Sequence, residues 1–203
     1  MKFIDLSTWE RAPYYHALKK DNPHLTITFE LDISRFLPRV HERGLSFTRA
    51  FVYLVSTCAN GIEAYRYRFV EGKVALYERI ENVLYTYMKK GSQLFQVVNV
   101  PLTGTVEEFV KRAAALEAEQ TTAFPPPVGP DRFRFSIVPW ISYTQAIVTA
   151  EGENDAPLFI WGKYHEREGK TLLPFTIGAH HVFVDGVHLG QLAEALQQAL
   201  DAF

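Results

Sequence analysis

Apolar and polar positions alternate most cleanly in residues 24–33, "HLTITFELDI", where Leu25, Ile27, Phe29 and Leu31 share one face. A period of two predicts a strand with one buried side. By the same reading, strands are predicted in "NVLYTYMKK" (82–90), "QLFQVVNV" (93–100), "FRFSIVPW" (133–140), "ISYTQAIVTA" (141–150), "PLFIWGKYHE" (157–166) and "TLLPFTIGAHH" (171–181). "YRYRFVEGKVALYE" (65–78) reads as two strands around a Glu71-Gly72 hairpin turn.

The pattern shifts to a helical period elsewhere. "LSTWERAPYYHALKK" predicts a first helix with Ser7 or Thr8 as its cap and Trp9 facing inward. "SRFLPRVHERG" predicts a short helix ended by Gly44, and "SFTRAFVYLVSTCANGI" a longer, more buried one ended by Gly61. "TVEEFVKRAAALEAEQ" carries a capping box, Thr105 with Glu108, ahead of an alanine-rich body. A last helix is predicted over about 187–202, and "FPPPVGP" (124–130) is a stiff loop. About five helices and eight or nine strands in mixed order predict an α/β fold, a two-layer sandwich with helices packed on a large mixed β-sheet. The 203 residues are expected to form one domain over 1–203.

Composition narrows the function classes. Hydrophobic residues make up 47% and charged residues 22%, with a formal net charge of −2 and no basic block. That balance argues against nucleic acid as the partner. No apolar run reaches the roughly 18 residues that a membrane span requires. The single Cys58 and an N-terminus without a signal-peptide core predict a cytoplasmic protein.

One stretch stands apart from the periodic pattern. In "GAHHVFVDGVHLGQL" (178–192) two histidines end an apolar strand, and Asp185-Gly186 precede the last helix. Three readings compete. The pair is structural at the core edge; or His180, His181 and His188 ligate a metal; or one histidine is a general base. Adjacent residues on a strand point to opposite faces, and no Cys or Glu stands at a metal-like spacing, so no metal is expected. A neutral imidazole takes a proton from an attacking hydroxyl near neutral pH, and Asp185 orients its loop through an ion pair. With no Gly-x-Ser-x-Gly elbow, such a base would activate the substrate's own hydroxyl rather than a protein nucleophile. Transfer from a thioester suits that arrangement.

The His-His-x-x-x-Asp-Gly motif before a C-terminal helix resembles the signature of the chloramphenicol acetyltransferases. That fold also serves the acyltransferase core of 2-oxo acid dehydrogenase complexes. "DLSTWERAPYY", "ELDISRFL", "VPWISYT" and "APLFIWGKYHEREGKTLLPFTIGAHHVFVDGVHLGQL" resemble further landmarks in family order, over nearly the whole chain. The resemblance implies an O-acetyltransferase with acetyl-CoA as co-substrate and a small-molecule acceptor. It implies His181 as base, an Asp185–Arg11 ion pair holding its loop, and a homotrimer with active sites at subunit boundaries.

Departures fall on the acceptor side. Gln145, beside Thr144, stands where the family has a serine that binds the oxyanion, which makes both residues oxyanion candidates. Ile160 replaces a threonine, Ala17 and Leu18 an aromatic pair, and Gln96 a small hydroxyl residue, whereas Phe95 keeps a family aromatic. Phe95, Gln96, Leu18, Leu158 and Ile160 are the expected substrate-binding residues. A different small-molecule acceptor, or a non-catalytic ligand- or CoA-binding role, are the alternatives that Gln145 keeps open. Trp9, Trp140 and Trp161 are expected in the core, and His188 at the surface.

Overall fold

The computed structural model describes residues 1–21, 23–147 and 155–203. Its first half runs β1 (Lys2–Phe3), α1 (Ala12–Leu18), β2 (His24–Asp32), α2 (Phe36–Glu42), α3 (Phe47–Asn60), β3 (Tyr67–Val70) and β4 (Lys73–Leu76). There follow β5 (Asn82–Met88), β6 (Phe95–Pro101), α4 (Val106–Glu119), β7 (Arg132–Val138), β8 (Leu158–Gly162), β9 (His165–Arg167), β10 (Lys170–His180) and α5 (Gly186–Ala202).

The expected large mixed sheet has the order β2-β10-β8-β7-β5-β6, with β9 folded against β10. β10 is antiparallel to both β2 and β8; β8, β7 and β5 run parallel; β6 closes the sheet antiparallel to β5. β6 and α4 together connect the parallel strands β5 and β7. A second, unanticipated sheet joins β1, β4 and β3.

Helices pack on one face of the large sheet through aromatic contacts. Phe51 of α3 meets Trp161 of β8 at 5.0 Å and Phe175 of β10 at 5.7 Å, both edge-on. Leu189, Leu192, Leu196 and Leu200 form the buried stripe of α5 and seat it in the same core. Gly44 ends α2 at φ 63°, and Thr105 and Glu108 make the capping box of α4 in both directions. Glu71 and Gly72 both take positive φ, the backbone of a tight β3–β4 hairpin.

Three local expectations change. The first helix starts at Ala12, not after Ser7 or Thr8, because Asp5 draws Ser7 N–H (2.9 Å) into a turn and Pro13 sets the first helical φ later. Residues 141–147 of the expected strand "ISYTQAIVTA" form an irregular segment instead, and 148–150 lie outside the described residues. Only the Tyr143 side chain of this alternation docks on the sheet, at Ile160 O and Thr176 Oγ1, whereas Ile141 and Ile147 are exposed. "PLFIWGKYHE" divides into β8 and β9, because Lys163 N–H leaves the ladder and donates to Ile141 O at 2.7 Å.

Trp161 is buried as expected and Trp9 is half-buried, but Trp140 is 61% exposed. No helix of the described residues is long and apolar enough to cross a membrane.

Candidate active site

β10 ends at His180, and the chain turns through residues 181–185 into α5. The turn closes on His180 O, which accepts from Phe183 N–H and Val184 N–H, both at 3.0 Å. His181 N–H donates to Pro23 O at 2.9 Å, so the loop stays tied to the segment before β2. Alternation along β10 sends the two histidines to opposite sides.

His180 goes inward. It is 2% exposed, and its ring packs edge-on against Phe69 (5.2 Å) and His24 (5.1 Å) and against Phe183 (5.6 Å). Its Nδ1 accepts from Val182 N–H at 3.2 Å. Burial pushes its pKa down to about 4, with the neighbouring His24 and His181 adding to the shift. This histidine is a neutral structural residue.

His181 goes outward, its side chain 35% exposed. Nδ1 lies 3.1 Å from Val184 O and 3.4 Å from Asp185 Oδ1. A carbonyl only accepts, so the Val184 contact assigns the proton to Nδ1 and the lone pair to Nε2. An imidazole held this way presents the Nε2 lone pair to whatever lies beyond it.

The expected partners meet around it. Arg11 Nη1 is 2.5 Å from Asp185 Oδ2, and Nη2 donates to Asp185 Oδ1 at 3.1 Å, a bidentate pair. The same guanidinium donates to Val182 O (2.9 Å) and His181 O (3.3 Å). One side chain therefore fixes three residues of the histidine loop. Hydrogen bonding from Arg11 holds the Asp185 carboxyl below the usual carboxylate range.

His188 is a supporting residue that the sequence reading placed at the surface. It is half-buried on the first turn of α5, where its Nδ1 accepts from Asp185 N–H at 2.9 Å. The signal was available, since position N3 after an aspartate cap is where a capping partner sits. His180 and His188 each commit Nδ1 to a backbone N–H, and no group of three His, Cys, Asp or Glu among the described residues could hold a metal ion.

The acceptor-side residues lie elsewhere on the chain. Thr144 and Gln145 are exposed in the irregular segment after β7. The polar partners described for His181 do not include them. Phe95 is 52% exposed and lines an open cleft of about 940 Å³, which Thr86, Ser136, Ile137, Pro139 and Trp140 also line. Gln96 is buried; its amide donates to Thr122 O (2.8 Å) and accepts from Tyr87 OH (3.1 Å). Ile160 is buried on β8, and Leu158 and Leu18 are half-buried.

Comparison with known proteins supplies the family. The chloramphenicol acetyltransferase family matches residues 1–197. A chloramphenicol acetyltransferase of Proteus mirabilis is 26% identical over 204 residues, covering 98% of this chain and 94% of the relative. A solved chloramphenicol acetyltransferase superposes with a TM-score of 0.88 at 26% identity, covering 98% of this chain and 99% of the other. A probable dihydrolipoamide acetyltransferase of Listeria monocytogenes shares the fold, with a TM-score of 0.68 at 11% identity over 100% and 95% of the two chains. The chain belongs to the chloramphenicol acetyltransferase family, acyltransferases that use acetyl-CoA as co-substrate.

Proposed function

We propose that this acetyltransferase transfers the acetyl group of acetyl-CoA to a hydroxyl of chloramphenicol, with His181 as general base. The observation that carries the reading is the Nδ1 contact of His181 with Val184 O at 3.1 Å, which reserves Nε2 for a substrate proton. The acceptor hydroxyl gives its proton to Nε2 as its oxygen attacks the thioester carbonyl. The tetrahedral intermediate then collapses, the C–S bond breaks, and the CoA thiolate takes the proton back from His181. The Gln145 amide, with Thr144 as the alternative donor, faces the oxyanion, in a role worth about 10²–10³ in rate. Arg11 and Asp185 hold the loop and touch no reacting atom. Phe95, Leu18, Leu158 and Ile160 contribute to the acceptor pocket, with Gln96 as a support behind Phe95.

The working unit is a homotrimer, with His181 of one subunit facing the Gln145 segment of the next. Exposed Leu94, Phe95, Phe124, Trp140, Ile141 and Ile147 support this, because lone subunits rarely present so much apolar surface. The enzyme is cytoplasmic, in keeping with a lone cysteine whose thiol burial pushes up to about 11. Gln145 at the oxyanion position and the filled hydrogen bonds of Gln96 favour, as a second reading, a different small alcohol as acceptor.

The test is CoA thiol release from acetyl-CoA with and without chloramphenicol, for wild type and His181→Ala. Release that needs chloramphenicol and falls at least about 10²-fold in the variant is expected. Chloramphenicol-independent release, or full activity in His181→Ala, would overturn the reading.

A further inference from the structure

Across the open face of the sheet, three hydroxyls stand in one row. Thr28 of β2 lies opposite Thr176 of β10, and Thr176 opposite Ile160 of β8. Thr176 is fully buried although it carries a hydroxyl. Its Oγ1 lies 2.7 Å from Thr28 Oγ1 and 3.2 Å from Tyr143 OH.

The direction of each bond follows from the two ends. Ile160 O is a carbonyl and only accepts, so Tyr143 OH donates to it, at 3.0 Å. Tyr143 then accepts from Thr176, and Thr176 accepts from Thr28. Thr28 Oγ1 is left to accept from Ala146 N–H at 3.4 Å. Every hydroxyl donates once and accepts once, an unbroken chain from Ala146 N–H to Ile160 O.

Two members of this chain, Ala146 N–H and Tyr143 OH, belong to the segment that carries Thr144 and Gln145. Tyr143 anchors one side of the dipeptide and Ala146 the other. Two further contacts fix the approach: Ile141 O accepts from Lys163 N–H at 2.7 Å, and Ser142 Oγ lies 3.1 Å from His165 Nδ1. Gly162 makes the close approach possible, because a Cβ there would stand 2.6 Å from Ile141 O and 2.8 Å from the Tyr143 ring. An exposed irregular segment is ordinarily among the more mobile parts of a fold. Here it is tied to three adjacent strands, to β2 through the Ala146 backbone and to β10 and β8 through the Tyr143 hydroxyl.

We propose that Tyr143, Thr176 and Thr28 form a positioning device that fixes the Thr144–Gln145 backbone against the sheet, so that a donor on this dipeptide meets the transition state preorganised. The catalytic part rests on the oxyanion reading above; the pinning of the backbone does not. A side-chain amide longer than a hydroxyl needs a fixed base to deliver its hydrogen bond to one point, since misplacement by about 1 Å can cost about 10²-fold in rate.

Hydrogen–deuterium exchange of the full chain, read on peptides covering 141–147, is compared for wild type, Tyr143→Phe, Thr176→Val and Thr176→Ser. Each of Tyr143→Phe and Thr176→Val removes two hydrogen bonds of ordinary net strength, which predicts at least about tenfold faster exchange in that segment. Thr176→Ser, which keeps the hydroxyl, behaves as wild type, and residues 179–185 are unchanged in all. With acetyl-CoA and chloramphenicol, kcat falls about tenfold in the two breaking variants while KM for acetyl-CoA stays within about twofold. Unchanged exchange at 141–147 overturns the proposal, as does acceleration spread equally over 179–185, or faster exchange with unchanged kcat. Gln145→Ala separates this from the oxyanion reading. A rate loss in Gln145→Ala beside a silent Tyr143→Phe removes the device and keeps the reading. Slower turnover and faster exchange in Tyr143→Phe beside a silent Gln145→Ala keep the device and remove Gln145 as the donor.

Discussion

Acid should destabilise this protein through His180. The ring sits at 2% exposure among Phe69, His24 and Phe183, and the folded chain holds its pKa down to about 4. In the unfolded chain the same ring titrates at about 6.5. Between those values the unfolded chain binds a proton that the folded chain refuses, so stability rises with pH and is lost as pH falls through that window. Taking the two pKa values, the proton taken up at pH 5 favours unfolding by about 2 kcal/mol, against a few tenths at pH 7. The assay is urea unfolding at pH 7, 6 and 5, for wild type and His180→Phe. The variant loses the Val182 N–H bond and is less stable at every pH, but its own loss between pH 7 and 5 should be smaller by about 2 kcal/mol. Equal losses in the two proteins would refute the reasoning, because His180 would then not be the refused proton.

Three further outcomes follow from other parts of the fold. Arg11→Ala removes the donor to Asp185 and to the carbonyls of residues 181 and 182, so stability should fall by about 1–3 kcal/mol and kcat by more than tenfold; thermal melts and steady-state kinetics check both. Trp140→Glu places a charge at a 61% exposed apolar position, and sedimentation should show the proposed trimer, if wild type forms it, dissociating into folded subunits; a wild-type monomer refutes the trimer. Gly162→Ala forces Ile141 O and the Tyr143 ring apart from β8, which should cost roughly 1–3 kcal/mol in urea unfolding.

Strands and helices were legible where one local rule decided them. The 24–33 alternation became β2, and the Thr105–Glu108 box opened α4, because ladder period and capping are set within a few residues. The segment 141–147 misled for a physical reason. Ile141, Tyr143 and Ile147 alternate with polar or small residues as a strand would, yet Ile141 O accepts from Lys163 N–H and Ala146 N–H donates to Thr28 Oγ1, with no ladder pairing. Periodicity does not say which backbone groups pair, and here it does not say which side chains are buried, since Ile141 and Ile147 are exposed. The β1-β4-β3 sheet was missed for a related reason: β1 is two residues long and exposed, too short to carry a pattern.

The same distinction divides the candidate site. His181, Asp185 and Arg11 sit 170 residues or more apart across the Arg11 contacts, yet the motif names two of them and "WER" the third, because a bidentate ion pair demands fixed residue types. The pinning of the Thr144–Gln145 segment carries no such signature. Thr28, Thr176 and Tyr143 are ordinary strand-forming residues, and only their cross-strand register turns three hydroxyls into a directed chain. His188 lies between these cases, visible once Asp185 is recognised as a cap and invisible before. A site of this kind is therefore read from sequence on the side where charge sets the geometry. On the side where backbone position sets it, the strand register must be known first.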